Sequence, residues 1–191
     1  AFSSTHSFNF DGSNDYLDLG NPTGLQITGA LTISAWVRKT GTSTQRFITK
    51  YDGTNKCFYL AIQSNGKFRF NITSSNSETE IDGTSNLNDS QWHHLTAVYS
   101  PSTSLKVYVD GELENTNTSS IPASLDNDSV NFVVGAEADA ELLFQGEIDE
   151  VGVWSVALSS SDVTSIYNNG KIIDLSKSAS YGVDRTGNLK L

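Results

Sequence analysis

Three acidic side chains alternate within residues 137–141. Glu137, Asp139 and Glu141 would point the same way from an extended backbone, with neighbours about 7 Å apart. Like charges at that spacing repel one another unless water or a cation lies between them. Calcium takes roughly six to eight oxygen ligands, so the row predicts a calcium site, with a solvated acidic loop as the alternative.

A second acidic group lies in the loop Asp11-Gly12-Ser13-Asn14-Asp15, which Asp149 could join as a further ligand. The spacing is not that of an EF-hand loop. Short Asp and Asn side chains also accept hydrogen bonds from the backbone of their own turn. We therefore favour turn formation here and keep Asp11 and Asp149 as the alternative metal ligands.

The sequence Glu147-Ile148-Asp149-Glu150 raises the question of hydrolysis. On a strand, Glu147 and Asp149 share one face, Val151 comes next on that face, and Glu150 points to the opposite side. A glycosidase needs two carboxyl groups that flank the scissile bond. Because the second Glu is missing from this face, the pattern predicts that the protein is not an enzyme, and a glycosidase-like hydrolase remains the third hypothesis.

Three other reactive residues have structural interpretations. His93 and His94 are adjacent, so on a strand they face opposite ways and cannot both bind one metal ion. We expect one imidazole in the interior and the other in a hydrogen bond between strands. Cys57 alternates with apolar neighbours, which predicts a small buried side chain rather than a reactive thiol.

Aromatic and planar polar side chains that could bind a sugar occur on the polar faces of three expected strands. If those strands share a sheet, the six residues form one outer surface, and loops at the sandwich rim are the rival site. Trp92 and Trp154 are expected in the core. The predicted sugar ligands are Trp36, Arg38, Tyr59, Gln63, Arg69 and Asn71.

The elements that must position these residues are mostly strands. Apolar residues alternate with polar ones in residues 31–38, 57–62, 67–72 and 105–110, the pattern of half-buried antiparallel strands. Turn signals separate the runs at Asn65-Gly66, Asp82-Gly83 and Asp110-Gly111. About a dozen such strands predict an all-β fold, an antiparallel sandwich of two sheets.

One helix is expected near the C-terminus. Ser159 and Asp162 have the spacing of a capping box, Val163 and Ile166 follow at helical spacing, and residues 168–170 (Asn-Asn-Gly) would end the helix. The sandwich is predicted to cover residues 1–170. Residues 171–191 are predicted to be an extension or a linker to a neighbouring domain.

Charge and composition exclude several classes of function. The chain of 191 residues carries a formal charge of −10, so it has no basic stripe that could bind nucleic-acid phosphates. It contains no apolar run long enough for membrane insertion. A single cysteine excludes an intrachain disulfide. Because the chain begins at Ala1 and lacks Met, we expect it to be a processed or excised piece of a longer protein.

Several motifs in register resemble the laminin-G-like, concanavalin A-like jelly-roll domains. They lie at residues 8–17 (FNFDGSNDYL), 31–37 (LTISAWV), 91–99 (QWHHLTAVY), 107–111 (VYVDG) and 144–159 (FQGEIDEVGVWSVALS). The resemblance covers about residues 7–170 and implies a jelly-roll sandwich. Members of this family mostly bind carbohydrate or protein ligands, often with calcium, as modules of secreted, surface and virion proteins.

The stretch Gly135-x-Glu137-x-Asp139 also resembles the calcium-ligand loop of the pentraxins, which share this fold. That resemblance implies Asp52 as a partner ligand from a second loop. The chain departs from the pentraxin pattern after Asp139, where the loop to Gly146 is much shorter.

The sequence therefore predicts a non-catalytic, lectin-like domain that binds a glycan or polysaccharide with the help of calcium. We expect it to belong to a larger extracellular, cell-surface or virion protein. The alternative is an adhesion or phage structural module whose partner is a protein.

Overall fold

A computed structural model describes residues 7–171 and shows a sandwich of two antiparallel sheets with six strands each. The predicted all-β, jelly-roll architecture is confirmed. The predicted extension falls almost wholly outside the described residues. Within residues 7–171, no helix is both long and apolar enough to cross a membrane.

The first sheet, called sheet A, has the strand order β1-β12-β3-β8-β9-β10. Its strands are β1 (Phe8–Asp11), β3 (Leu31–Lys39), β8 (His93–Ser100), β9 (Ser104–Val109), β10 (Glu112–Asn117) and β12 (Gln145–Trp154).

The second sheet, called sheet B, has the strand order β2-β11-β4-β5-β6-β7. Its strands are β2 (Leu17–Asp18), β4 (Gln45–Tyr51), β5 (Lys56–Ile62), β6 (Phe68–Ser74), β7 (Ser77–Asp82) and β11 (Val133–Val134).

Alternating apolar side chains from both sheets meet in one core between them. Each strand turns every second residue inward, which is why the period-two pattern of the sequence marks this face. Fully buried members of the core include Leu31, Ile33, Phe47, Phe58, Leu60, Phe68, Phe70, Leu95, Val107 and Ile148.

Two of the three predicted turns form hairpins, and the third does not. Gly66 and the pair Asp110-Gly111 adopt positive φ between β5 and β6 and between β9 and β10, as tight hairpins require. Asp82-Gly83 does not form a hairpin, because β7 ends at Asp82 and the chain then crosses from sheet B to β8 of sheet A.

The helix α1 (Ser160–Tyr167) packs on the outer face of sheet A. The predicted capping box is present: the Ser159 hydroxyl accepts from the Asp162 backbone, and the Asp162 carboxylate accepts from the Ser159 backbone. Val163 and Ile166 join a second apolar cluster with Trp154 of β12. As a result, α1 covers part of the outer face of sheet A.

A bulge interrupts the pairing of β12 with β3 between Asp149 and Gly152. Glu150 has φ of 48° there. The extra residue returns Val151 to the inner side, where it packs against the core. The prediction that Val151 shares a face with Glu147 is therefore wrong.

Candidate functional site: the polar face of sheet B

Trp36, which was expected to offer an exposed ring, is buried in the structure. Only 3% of the residue is exposed. The Tyr167 ring at the end of α1 lies 5.7 Å from it and the His94 ring 5.3 Å, both as centroid distances. The interpretation of Trp36 as a sugar platform is wrong, because the end of the helix covers this part of sheet A.

Arg38 also lies on the outer face of sheet A, where it forms an ion pair with Glu147 of the neighbouring strand. Its guanidinium is 6.0 Å from the centre of the Trp92 ring. Trp92 immediately precedes β8 and is half-buried, so its predicted place in the core is wrong. Trp154, in contrast, is fully buried, as predicted.

The other four predicted sugar ligands lie together on the outer surface of β4–β7, which we call the polar face. The six residues therefore do not form one surface, since Trp36 and Arg38 belong to sheet A. The polar face consists of Arg46, Tyr51, Lys56, Tyr59, Gln63, Arg69, Asn71, Glu78, Glu80 and Asp82.

Arg46 organises one side of the polar face. Its guanidinium carbon lies 3.6 Å from the centre of the Tyr59 ring and 4.3 Å from that of Tyr51. The same group forms an ion pair of 2.9 Å with Glu137, which reaches over from the loop after β11. Arg46 thus covers both rings, each residue being 7% exposed. Tyr59 supports this guanidinium and does not itself present a bare aromatic surface.

Arg69 organises the opposite side. Its Nε and Nη2 donate to the two carboxylate oxygens of Asp82 at 2.7 and 2.8 Å, and its Nη1 lies 2.7 Å from Glu80. Gln63 donates to the same Asp82 carboxylate at 3.2 Å. The bidentate hydrogen bonds to Asp82 raise the pKa of Arg69, so the guanidinium stays charged and fixed in orientation.

Glu78 forms a further group of hydrogen bonds on the polar face. It accepts hydrogen bonds from Tyr51 at 3.1 Å, Lys56 at 2.8 Å and the Asn71 amide at 3.0 Å. Burial acts to raise the pKa of Glu78, but these hydrogen bonds together bring it below its ordinary value. Asn71 is fully buried, and its Oδ1 has no hydrogen-bond partner among the described residues.

The sequence interpretation missed Arg46, Tyr51 and the acidic row of β7. The sequence does indicate the acidic row, because every second residue of β7 is acidic (Glu78, Glu80 and Asp82) while Ile81 between them is buried in the core. The sequence does not indicate on which face Arg46 lies, because a register shift between Arg46 and Ile48 breaks the alternation of β4.

The predicted calcium row is not extended. Residues 138–139 form a turn, the Ala140 backbone donates to the Glu137 carbonyl at 3.0 Å, and Ala140 has φ of 63°. Burial raises the pKa of Glu137; Arg46 opposes this shift, while Asp139, Glu141 and Asp52 add to it. These carboxylates are thus near enough to influence one another, but Glu137 is already paired with Arg46.

The remaining metal candidates are engaged in their own turns. Asp52 accepts from the backbones of Thr54 and Asn55 at 3.0 and 2.6 Å. Asp11 accepts from the Ser13 backbone at 2.7 Å, which fits the favoured interpretation as a turn.

Asp149 lies far from Asp11 along the sheet. Asp11 is opposite Gln145, whereas Phe8 at the other end of β1 is opposite Ile148. Within the part of the chain that the structure describes, no group of three or more His, Cys, Asp or Glu could hold a metal ion. In this arrangement the carboxylates are engaged in hydrogen bonds and in the ion pair with Arg46.

The histidines and the cysteine take the expected structural places. His94 is buried, and His93 bonds Asp110 at 2.9 Å and Asp89 at 3.3 Å. Cys57 is buried, and burial raises the pKa of its thiol.

Fold and surface together define a lectin-type jelly-roll sandwich. The chain belongs to the concanavalin A-like lectin/glucanases superfamily, whose laminin-G-like family model matches residues 11–164. No curated protein sequence matches the chain.

Several solved structures share the fold. The ligand-binding domain of botulinum neurotoxin serotype D, in complex with N-acetylneuraminic acid, has a TM-score of 0.70 and 15% identity over 88% of this chain and 43% of that one. The IT-sialidase CBM40 of Ruminococcus gnavus, bound to α2,3-sialyllactose, has a TM-score of 0.67 and 16% identity over 85% of this chain and 97% of that one. A SAP-like pentraxin from Limulus polyphemus has a TM-score of 0.63 and 18% identity over 83% of this chain and 80% of that one.

The chain also spans only 43% of the binding domain of Paraclostridial Mosquitocidal Protein 1, with a TM-score of 0.70 and 12% identity.

Proposed function

We propose that this domain binds carbohydrate on the polar face and is not an enzyme. The observation that carries the proposal is the network of planar polar groups on β4–β7, held by Arg46, Arg69 and Glu78. Carboxylate, amide and guanidinium groups form paired hydrogen bonds with sugar hydroxyls, and fixing them beforehand lowers the entropy lost on binding. Solved binding domains of similar fold have sugar ligands, which supports the same conclusion.

The strongest test compares two arginines that have similar pairing but lie on different sheets. Arg69→Ala should weaken binding to a glycan found on an array by about tenfold or more, since a hydrogen bond to a charged group is worth roughly 1.5–3 kcal/mol. Arg38→Ala, on sheet A, should leave the affinity unchanged. Isothermal titration of both variants makes the comparison.

Thermal melts of the two variants provide the control for folding. Ion pairs near the surface contribute about 0–1 kcal/mol, and more where an arginine binds one carboxylate through two hydrogen bonds, as Arg69 does. The Arg38→Ala melt should therefore stay close to that of the native protein, and the Arg69→Ala melt should fall by a few degrees and still show a folded domain. Loss of binding in Arg38→Ala with retention in Arg69→Ala would place the site on sheet A and refute the proposal.

The contacts of Glu147 support the absence of catalysis. One oxygen of its carboxylate pairs with Arg38, and the other accepts from Ser7 at 3.4 Å. The next acidic residue, Asp149, accepts from the Glu150 backbone at 2.8 Å. Carboxyl groups committed in this way are poorly placed to flank a glycosidic bond as acid and nucleophile.

Calcium is a separate part of the proposal. Asp139, Glu141 and Asp52 all act to raise the pKa of Glu137 and Arg46 acts to lower it, so the negative charge near this loop would attract a cation. Its binding would require the carboxylates to leave their present hydrogen bonds.

Melts in calcium and in chelator test this part. An ion that binds only the folded state adds about 2.7 kcal/mol at a hundredfold excess over its Kd, so chelator should lower the Tm by several degrees. Identical melts would remove calcium from the proposal and leave the polar face unaffected.

We also propose that the domain is one part of a larger extracellular, cell-surface or virion protein. The toxin binding domains of similar fold support this context, since the chain spans less than half of each.

A protein partner is the second candidate function. One observation favours it: a cavity of about 280 Å³ opens at the edge of the sandwich where β1 and β2 lie, and its lining is mostly apolar. Phe8 and Leu19, which line it, are 59% and 40% exposed. Failure of every glycan to bind the folded domain would favour this alternative.

A further inference from the structure

Each cation of the polar face is already matched by a carboxylate. Arg46 pairs with Glu137 at 2.9 Å, Lys56 with Glu78 at 2.8 Å, and Arg69 with Asp82 at 2.7 Å. An anionic ligand could pair with one of these cations only by displacing a carboxylate that the fold holds in place. The exchange would replace an intramolecular ion pair with an intermolecular one at the additional cost of association.

The charge balance of this surface is negative. Arg69 has a second acidic neighbour, Glu80, at 2.7 Å, so four carboxylates including Glu137 face three cations. The whole chain adds to this field with a formal charge of −10. An approaching carboxylate is therefore repelled at long range and finds no unmatched positive charge at contact.

The polar face also contains a buried acceptor that lacks a donor. Asn71 Oδ1 is fully buried under the network and has no partner among the described residues, while its Nδ2 is used by Glu78. A buried acceptor without a donor destabilises the folded state, and a sugar hydroxyl could supply the missing donor once the exposed Glu78 side chain moves aside. A carboxylate has no proton to donate and could not.

We propose that the polar face binds an uncharged, hydroxyl-rich saccharide and discriminates against glycans that carry sialic acid. This inference rests on the proposed function and specifies its ligand class. It sets the chain apart from the botulinum neurotoxin and Ruminococcus gnavus domains, which were solved with N-acetylneuraminic acid and sialyllactose. The discrimination comes from the carboxylates of the face, which accept from hydroxyls and repel an acid.

The test uses matched pairs of glycans. An array should carry neutral oligosaccharides, each beside the same oligosaccharide with a terminal sialic acid, and the full chain should be applied at low salt so that repulsion is not screened. We expect each neutral ligand to bind at least tenfold more tightly than its sialylated form. Tighter binding of the sialylated forms would overturn the inference and leave the proposed function intact. Binding to neither set would overturn both.

A variant places the discrimination on this face. Asp82→Asn removes the main partner of Arg69, so binding of the sialylated ligand should rise severalfold relative to the neutral one. Glu112→Gln removes the same unit of charge from an exposed position on β10, at the edge of sheet A, and serves as the matched control. If both variants change the ratio equally, the effect is one of net charge and the face does not select the ligand.

Discussion

Replacing Trp154 with alanine is expected to lower the free energy of unfolding by about 3–5 kcal/mol and to leave little soluble protein. Trp154 is fully buried at the centre of the cluster that fixes α1 to sheet A, against Tyr108, Val163 and Ile166. Its removal opens a cavity that the surrounding strands cannot close, so the helix loses its main contact. Chemical denaturation followed by circular dichroism measures the loss.

Trp92→Ala is the matched control, because it makes the same change at a half-buried position beside Arg38. The decrease in the free energy of unfolding should be clearly smaller for Trp92→Ala than for Trp154→Ala. Equal losses in the two variants would mean that Trp92 also belongs to a core, as the sequence predicted. A native-like melt of Trp154→Ala would contradict the packing of α1.

The second large effect is acid destabilisation through His94. Burial lowers the pKa of this imidazole to about 4, while Asp110 opposes the shift. Folding therefore favours the neutral ring: the stability it contributes is complete above the unfolded pKa of about 6.5 and disappears as the pH falls through the folded value. Between pH 7 and pH 4 this amounts to roughly 3 kcal/mol.

His94→Phe isolates this contribution. Phenylalanine keeps a ring beside Trp36 and Tyr167, both within 6 Å of the imidazole as centroid distances, and does not titrate. The variant should lose less stability than the native protein between pH 7 and pH 4.

His93 works in the opposite sense, since the bond to Asp110 raises its pKa and its stabilisation disappears as the pH rises. Because His93 is present in both the native protein and the His94→Phe variant, its contribution cancels when the two pH profiles are subtracted. Parallel pH profiles of unfolding free energy would contradict the assignment to His94.

Most of the fold could be predicted from the sequence because alternation records burial directly. Runs such as Phe58, Leu60 and Ile62 mark the inner face of a strand whatever its partners are. The helix was equally readable, since Ser159 and Asp162 form their capping box locally. The alternation does not indicate which strands share a sheet, because that depends on contacts between residues distant in sequence.

The site was predicted only in part for that reason. Trp36 and Tyr59 have the same local pattern, yet one lies under α1 and the other under Arg46. The bulge at Glu150 shifts the alternation of β12 by one residue, so Val151 was assigned to the wrong face. The irregularity after Arg46 disturbs the alternation of β4 in the same way. The acidic row of 137–141 turned out to be a turn, because Ala140 adopts a conformation that the pattern does not signal.

The complete burial of Asn71 has a practical consequence for producing the protein. Asn71, Ile72 and Thr73 together form an acceptor sequence for N-linked glycosylation, a modification that is added to the chain before it folds. Both Asn71 and Thr73 are fully buried in strand β6, and the Asn71 amide donates to Glu78. Because Asn71 is fully buried beneath the side chains of the polar face, a glycan attached there would displace its contact with Glu78 and should destabilise the folded domain. Expression should therefore use a host without this modification, or replace Thr73 by valine in a secretory one.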